Sequence, residues 1–94
     1  MKIEGVIWLR VVVDKLVLKH HVQPQEVEEV LSNKPKFRRI EKGNRKGEDV
    51  YRALGQTDAG RYMAVLFIHK GTKKALILSA RDMARKERKQ YGEK

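Results

Sequence analysis

Between residues 36 and 79, short apolar runs alternate with clusters of turn residues, and this punctuation restricts the fold more than any other feature. The clusters are Lys42-Gly43-Asn44-Arg45-Lys46-Gly47, Thr57-Asp58-Ala59-Gly60 and Lys70-Gly71-Thr72-Lys73. Each is of hairpin length, whereas a parallel return needs a crossover of about a dozen residues or more. The runs at 37–40, 49–56, 61–69 and 75–79 are therefore expected to be strands of an antiparallel sheet. The run 61–69 is apolar almost throughout, as expected of a strand buried on both faces.

Helices are expected on either side of this sheet. Residues 6–21 carry two patterns. Val6, Ile7, Val11, Val12, Val13 and Val17 are β-branched and suit a strand. Trp8, Val12 and Leu16 nonetheless separate from Val11, Lys15 and Lys19 at helical spacing, which favours a helix from about Leu9. Pro24 suits the first position of a second helix, with Glu26, Glu28 and Glu29 near its positive end. Val27, Val30 and Leu31 give that helix an apolar face, and Ser32, Asn33 and Pro35 stop it. At the C-terminal end Ser79 and Asp82 stand at capping-box spacing, and Ala80, Ala84, Glu87 or Arg88, and Tyr91 share one helical face. The sum is an α+β fold with two N-terminal helices, a four-stranded antiparallel sheet and a C-terminal helix. One domain over residues 1–94 is expected, since so short a chain has apolar residues for a single core.

The chain carries 22 Lys and Arg against 12 Asp and Glu, a formal net charge of +10. Such an excess attracts polyanions, namely RNA, DNA, an acidic membrane surface or an acidic protein. The absence of Cys excludes disulfides, thiolate chemistry and Cys/His zinc sites. The longest apolar run, 63–68, is far too short to span a bilayer, and no signal-peptide core is present at the N-terminus. A cytoplasmic protein without a membrane partner is the expectation.

Several segments in order resemble the BrnT-like toxins. Lys19-His20-His21-Val22 resembles that family's Lys-His-Gly-Val element, with His21 where the family has Gly. The segment EVEEVL, 26–31, resembles its acidic second helix. Leu54-Gly55-Gln56-Thr57 with Gly60-Arg61 resembles its aliphatic-Gly-x-Thr hairpin followed by Gly-Arg. Ile77-Leu78-Ser79-Ala80-Arg81, then Glu87 and Tyr91, resembles its Ser-Ala-Arg tail with Glu-x-x-x-Tyr. The resemblance covers residues 8–91. It implies a RelE-like topology, metal-free endoribonuclease activity with no cofactor, action on mRNA that can be ribosome-associated, and a cognate antitoxin of ribbon-helix-helix type.

Metal-free RNA cleavage needs a base for the 2′-hydroxyl, cations for the phosphate and an acid for the leaving oxygen. Arg61 and Arg81 are candidates for a phosphate clamp, because opposed strands would bring them to one end of the sheet. Each has a plainer reading as an exposed salt bridge. Lys19 and His20 are candidates for proton transfer or for capping the first helix. Glu87 is a candidate base or an orienting partner of Arg81. Arg52, Arg85, Arg88 and Tyr91 are candidate RNA contacts, through phosphates or base stacking. A non-catalytic binding module for nucleic acid or a protein partner on the same fold is the alternative.

Overall fold

Pro24 opens a helix that buries Val27 and Val30, and that helix anchors half of the fold. The computed structural model describes residues 1–43, 45 and 48–92. Its elements are β1 (Gly5–Ile7), α1 (Arg10–His20), α2 (Pro24–Ser32), β2 (Lys36–Glu41), β3 (Val50–Gln56), β4 (Tyr62–His69), β5 (Lys74–Asp82) and α3 (Arg85–Gly92). Asn44, Lys46 and Gly47 of the first turn cluster lie outside the described residues.

Among the described residues the sheet has five strands in the order β1-β5-β4-β3-β2. The four expected strands form antiparallel neighbours, as their short connections require. The expectation of a four-stranded antiparallel sheet is corrected at its edge. β1 joins parallel to β5, with Gly5 opposite Lys74 and Ile7 opposite Leu76, so the sheet is mixed. Three residues are too few to show alternation, and their partner strand lies at the other end of the chain. Val6 and Ile7 thus belong to a strand and residues 10–20 to a helix, which accounts for the double pattern of that region.

α1 and α2 cover one face of the sheet. Leu16, Val22, Val27, Val30, Ala53, Met63, Val65, Phe67 and Ile77 make the main core there. Burial of each of these Val, Leu, Ile, Met and Phe side chains stabilises the fold by about 1.5–3 kcal/mol. Alternate residues of the same strands point to the other face. There α3 covers a smaller cluster of Leu54, Ala64 and Met83, flanked by Tyr62 and Tyr91.

Two local details differ from expectation. Ser79 and Asp82 do not cap the last helix, because β5 runs through Asp82 and α3 begins at Arg85. Ala80 accordingly lies in the main core instead of on a helical face. The N-terminal cap is supplied by Glu87, whose Oε1 accepts the Ala84 N–H at 2.8 Å. At the end of α1, His21 takes the left-handed conformation that Gly would supply, with φ 53° and ψ 40°. The Val22 N–H then reaches the Leu16 carbonyl at 3.0 Å. Among the described residues no helix is long and apolar enough to cross a membrane.

Candidate nucleic-acid interface

The end of β5 presents two adjacent residues to opposite faces of the sheet. Asp82 points toward α1 and α2, and Arg81 toward α3. Each is the centre of a separate charged cluster.

On the α1/α2 side, Arg61 is held from several directions. Its Nε donates to Asp82 Oδ1 at 2.6 Å, and its Nη1 donates to both oxygens of Glu26 at 3.1 Å. Nη1 also donates to the His21 carbonyl at 3.0 Å, and Nη2 to the His20 carbonyl at 3.4 Å. The Asp82 bond, and after it the Glu26 bond, raise the already high pKa of Arg61. In return the bond from Arg61 holds Asp82 below its ordinary range. The left-handed turn at His21 aims both carbonyls at the guanidinium. Arg61 therefore ties the end of α1, the start of α2 and the β5 end together. Lys19 is exposed and His20 half-buried beside this cluster, and neither side chain has a hydrogen-bond partner among the described residues.

On the α3 side, Glu87 is the organising group. Its side chain is only 8% exposed. Arg81 grips it with both Nη atoms, at 2.5 and 2.9 Å, and Arg52 approaches at 3.5 Å. With the Ala84 N–H, four donors meet one carboxylate. The Arg81 bond, opposed by burial and reinforced by Ala84, holds Glu87 below its ordinary pKa. Arg52 also donates to Gln90 Oε1 at 3.1 Å, while its Nε is buried without a partner among the described residues. The Arg81 side chain remains 47% exposed.

An aromatic pair continues this side. Tyr62 and Tyr91 meet edge to face at 6.0 Å, with the Arg88 guanidinium 4.0 Å above the Tyr62 ring. Lys36 Nζ lies 5.8 Å from the Tyr91 ring centre and donates to the Gln90 carbonyl. A groove of about 290 Å³ opens between β2, β3 and α3, lined by Lys36, Arg38, Arg52 and Gln90 among others. A larger cavity of about 610 Å³ lies between the N-terminal residues and α2, far from these candidates.

A family model described as the ribonuclease toxin BrnT of type II toxin–antitoxin systems matches residues 13–87. The chain belongs to the BrnT toxin family. Among solved structures, the ribonuclease toxin BrnT of Brucella abortus, determined at 1.1 Å, aligns with a TM-score of 0.61 and 19% identity. That match covers 86% of this chain and 97% of the Brucella chain, and shows that the two share a fold. No curated protein matches the chain.

Within this BrnT-family chain, the candidate residues divide. Arg52, Arg81, Glu87, Arg88 and Tyr91 come together on the α3 face. Arg61, Lys19 and His20 belong to the opposite face. Arg61 and Arg81 do reach the same end of the sheet, with Met63 opposite Asp82 and Ala64 opposite Arg81. They do not form the expected two-arginine clamp, because the sheet lies between them and both guanidiniums hold carboxylates. Glu87 is likewise unsuited to be a free base, since donors already occupy its oxygens. Arg85 is exposed, with no partner among the described residues.

The Leu54-Gly55-Gln56-Thr57 and Gly60-Arg61 motif has a structural reason. A Cβ on Gly55 would lie 3.0 Å from Pro35 Cβ and 3.1 Å from Val30 Cγ1, so only Gly lets α2 approach β3. Gly60 has φ 92°, and the Thr57 hydroxyl accepts the Arg61 N–H at 3.0 Å. Sequence reasoning missed Tyr62, Lys36, Gln90, Asp82 and Glu26 as participants. Tyr62 carried a signal, a Tyr beside Arg at the start of a strand. Asp82 and Glu26 carried none, since only chain folding brings them to Arg61.

Proposed function

We propose that this protein is the toxin of a type II pair and cleaves mRNA as an endoribonuclease without a metal. It would act as one unit over residues 1–94, in the cytoplasm, on a RelE-like scaffold, against free or ribosome-associated mRNA. The observation that carries the reading is the half-exposed Arg81 guanidinium, fixed by a buried carboxylate beside a cation-flanked tyrosine pair. Such a group holds a phosphate without first being ordered, which is what electrostatic stabilisation of a developing phosphorane requires. Arg88, Arg85 and Lys36 would follow the RNA backbone, and Tyr62 and Tyr91 would stack on bases.

Arg61 and Glu87 serve in this reading as positioning residues. Glu87 sets Arg81 and Arg52, and Arg61 sets the Lys19-His20 turn at the same end of the sheet. Lys19 and His20 lie across the sheet from Arg81 and take no part in proton transfer at a phosphate that it holds. A cognate antitoxin, of ribbon-helix-helix type, would silence the toxin.

The test is cleavage of purified RNA and of ribosome-bound mRNA, with and without EDTA. Cleavage that resists EDTA and falls about 10²–10³-fold in Arg81→Ala is expected. Equal cleavage by the folded Arg81→Ala protein would refute the assignment. One observation favours a binding-only module instead: all three carboxylates beside these arginines, Glu26, Asp82 and Glu87, are already paired. That reading predicts salt-sensitive RNA binding with no product formed.

A further inference from the structure

The α3 side of the sheet is only partly covered. Beyond the Leu54 and Ala64 row beneath α3 lie two further rows set by strand register. Arg38, Arg52, Leu66 and Ser79 stand side by side in the first. Val50, Ile68, Leu76 and Ile7 stand side by side in the second. Leu66 and the four residues of the second row are half-buried, yet belong to neither apolar cluster of the described residues. At a strand spacing of about 4.8 Å, the apolar row is about 14 Å long, the length of roughly nine helical residues.

An aliphatic strip on a sheet face marks a partner site, and its border says which partner. The adjoining rows carry the exposed Arg38 and the half-exposed Arg81, which also holds Glu87, with Arg52 and Lys36 already engaged by Glu87 and Gln90, against Glu41 at the β2 edge. RNA is a poor occupant, since neither row offers an aromatic side chain for stacking; Tyr51 stacks on Phe67 in the opposite core. A second copy would bring arginine against arginine on chains of net charge +10. A membrane surface favours exposed aromatic anchors, whereas these half-buried aliphatics lie beside a helix on the same face.

We infer that this strip receives an amphipathic, acidic helix of a partner protein, apolar residues on the strip and carboxylates on the exposed edges of Arg38 and Arg81. Under the type II reading above, on which the partner's identity rests, that helix belongs to the antitoxin. Lying next to α3, it would take the cations proposed to hold RNA, so docking and inhibition become one event.

The experiment is NMR titration of the ¹⁵N-labelled full chain with a synthetic 20-residue helical peptide bearing Leu on one face and Glu on its flanks. Shifts are expected at Ile7, Val50, Leu66, Ile68 and Leu76, and a peptide with Lys replacing Glu is expected not to bind. Ile68→Ser and Arg38→Glu should each weaken the Glu peptide about fivefold, the effect of ~1 kcal/mol, and Arg38→Glu should gain affinity for the Lys peptide. Because Arg38 is exposed, that charge swap reads the site even if Ile68→Ser unfolds. No binding, or shifts confined elsewhere, would overturn the inference. So would the same rows shifting with a 12-nucleotide RNA, with anionic lipid vesicles, or on concentrating the protein alone. RNA cleavage is measured on the same chain before peptide is added: no cleavage there, with peptide then binding at the strip, removes the nuclease reading and leaves the docking site. Cleavage by the free chain, with peptide then failing to bind, does the reverse.

Discussion

Replacing Arg61 by Ala removes the group that joins α1, α2 and β5, and its cost can be worked from its partners. Asp82 is 66% exposed, so solvent replaces most of its interaction, and its loss costs about 0.2–0.5 kcal/mol. Glu26 is 26% exposed, and its pair with Arg61 contributes about 1 kcal/mol. The His20 and His21 carbonyls each lose a charged donor, at about 0.5–1 kcal/mol apiece after allowing for water. The total is roughly 2–3.5 kcal/mol, which in a chain of this size lowers Tm by about 10–25 °C. Thermal and urea unfolding followed by circular dichroism measure it, with Arg61→Lys expected to recover less than half. Cleavage and RNA binding are measured at a temperature where the variant is folded. A Tm within about 2 °C of the parent, with RNA binding lost, would refute the reasoning, for it would mean that Arg61 holds phosphate and not the fold.

Glu87 gives a pH prediction. Its folded pKa lies below its ordinary value because Arg81, burial notwithstanding, favours the charged form. A lowered carboxylate contributes stability that is complete above its unfolded pKa and is lost as pH falls through the folded one. Detachment of α3 is therefore expected below about pH 4, read from the NMR signals of the Tyr91 ring, and Glu87→Gln should remove that acid limb; an unchanged profile counts against the cage. His21→Gly should raise stability by about 0.5–1 kcal/mol, since relief of the left-handed strain exceeds glycine's greater unfolded entropy; a lower Tm would contradict it. Gly55→Ala should cost about 1–3 kcal/mol by pushing α2 off β3, measured by urea midpoint, and a neutral effect would show that α2 moves freely.

Much of the fold was legible along the chain because its causes are local. Turn clusters of hairpin length fix antiparallel neighbours, Pro24 with the Val27, Val30 and Leu31 spacing fixes α2, and the net charge points to polyanions. The Ser-Ala-Arg tail and the Gly-Arg hairpin carry the family. β1 was not legible, since a strand of three residues is stabilised only by β5, which lies some seventy residues away. Nor was the capping of α3, where Ser79 and Asp82 had the spacing but β5 claimed them for its ladder.

For the site, residue type and order nominated Arg61, Arg81 and Glu87 but could not say which face each would meet. Side-chain alternation assigns opposite faces to Arg81 and Asp82, and a single step along β5 thereby divides the clusters. Whether a guanidinium waits for phosphate or holds the protein together depends on which carboxylates and carbonyls folding delivers within about 3 Å of it. Those partners come from residues 20 to 90, so the distinction belongs to the tertiary structure alone.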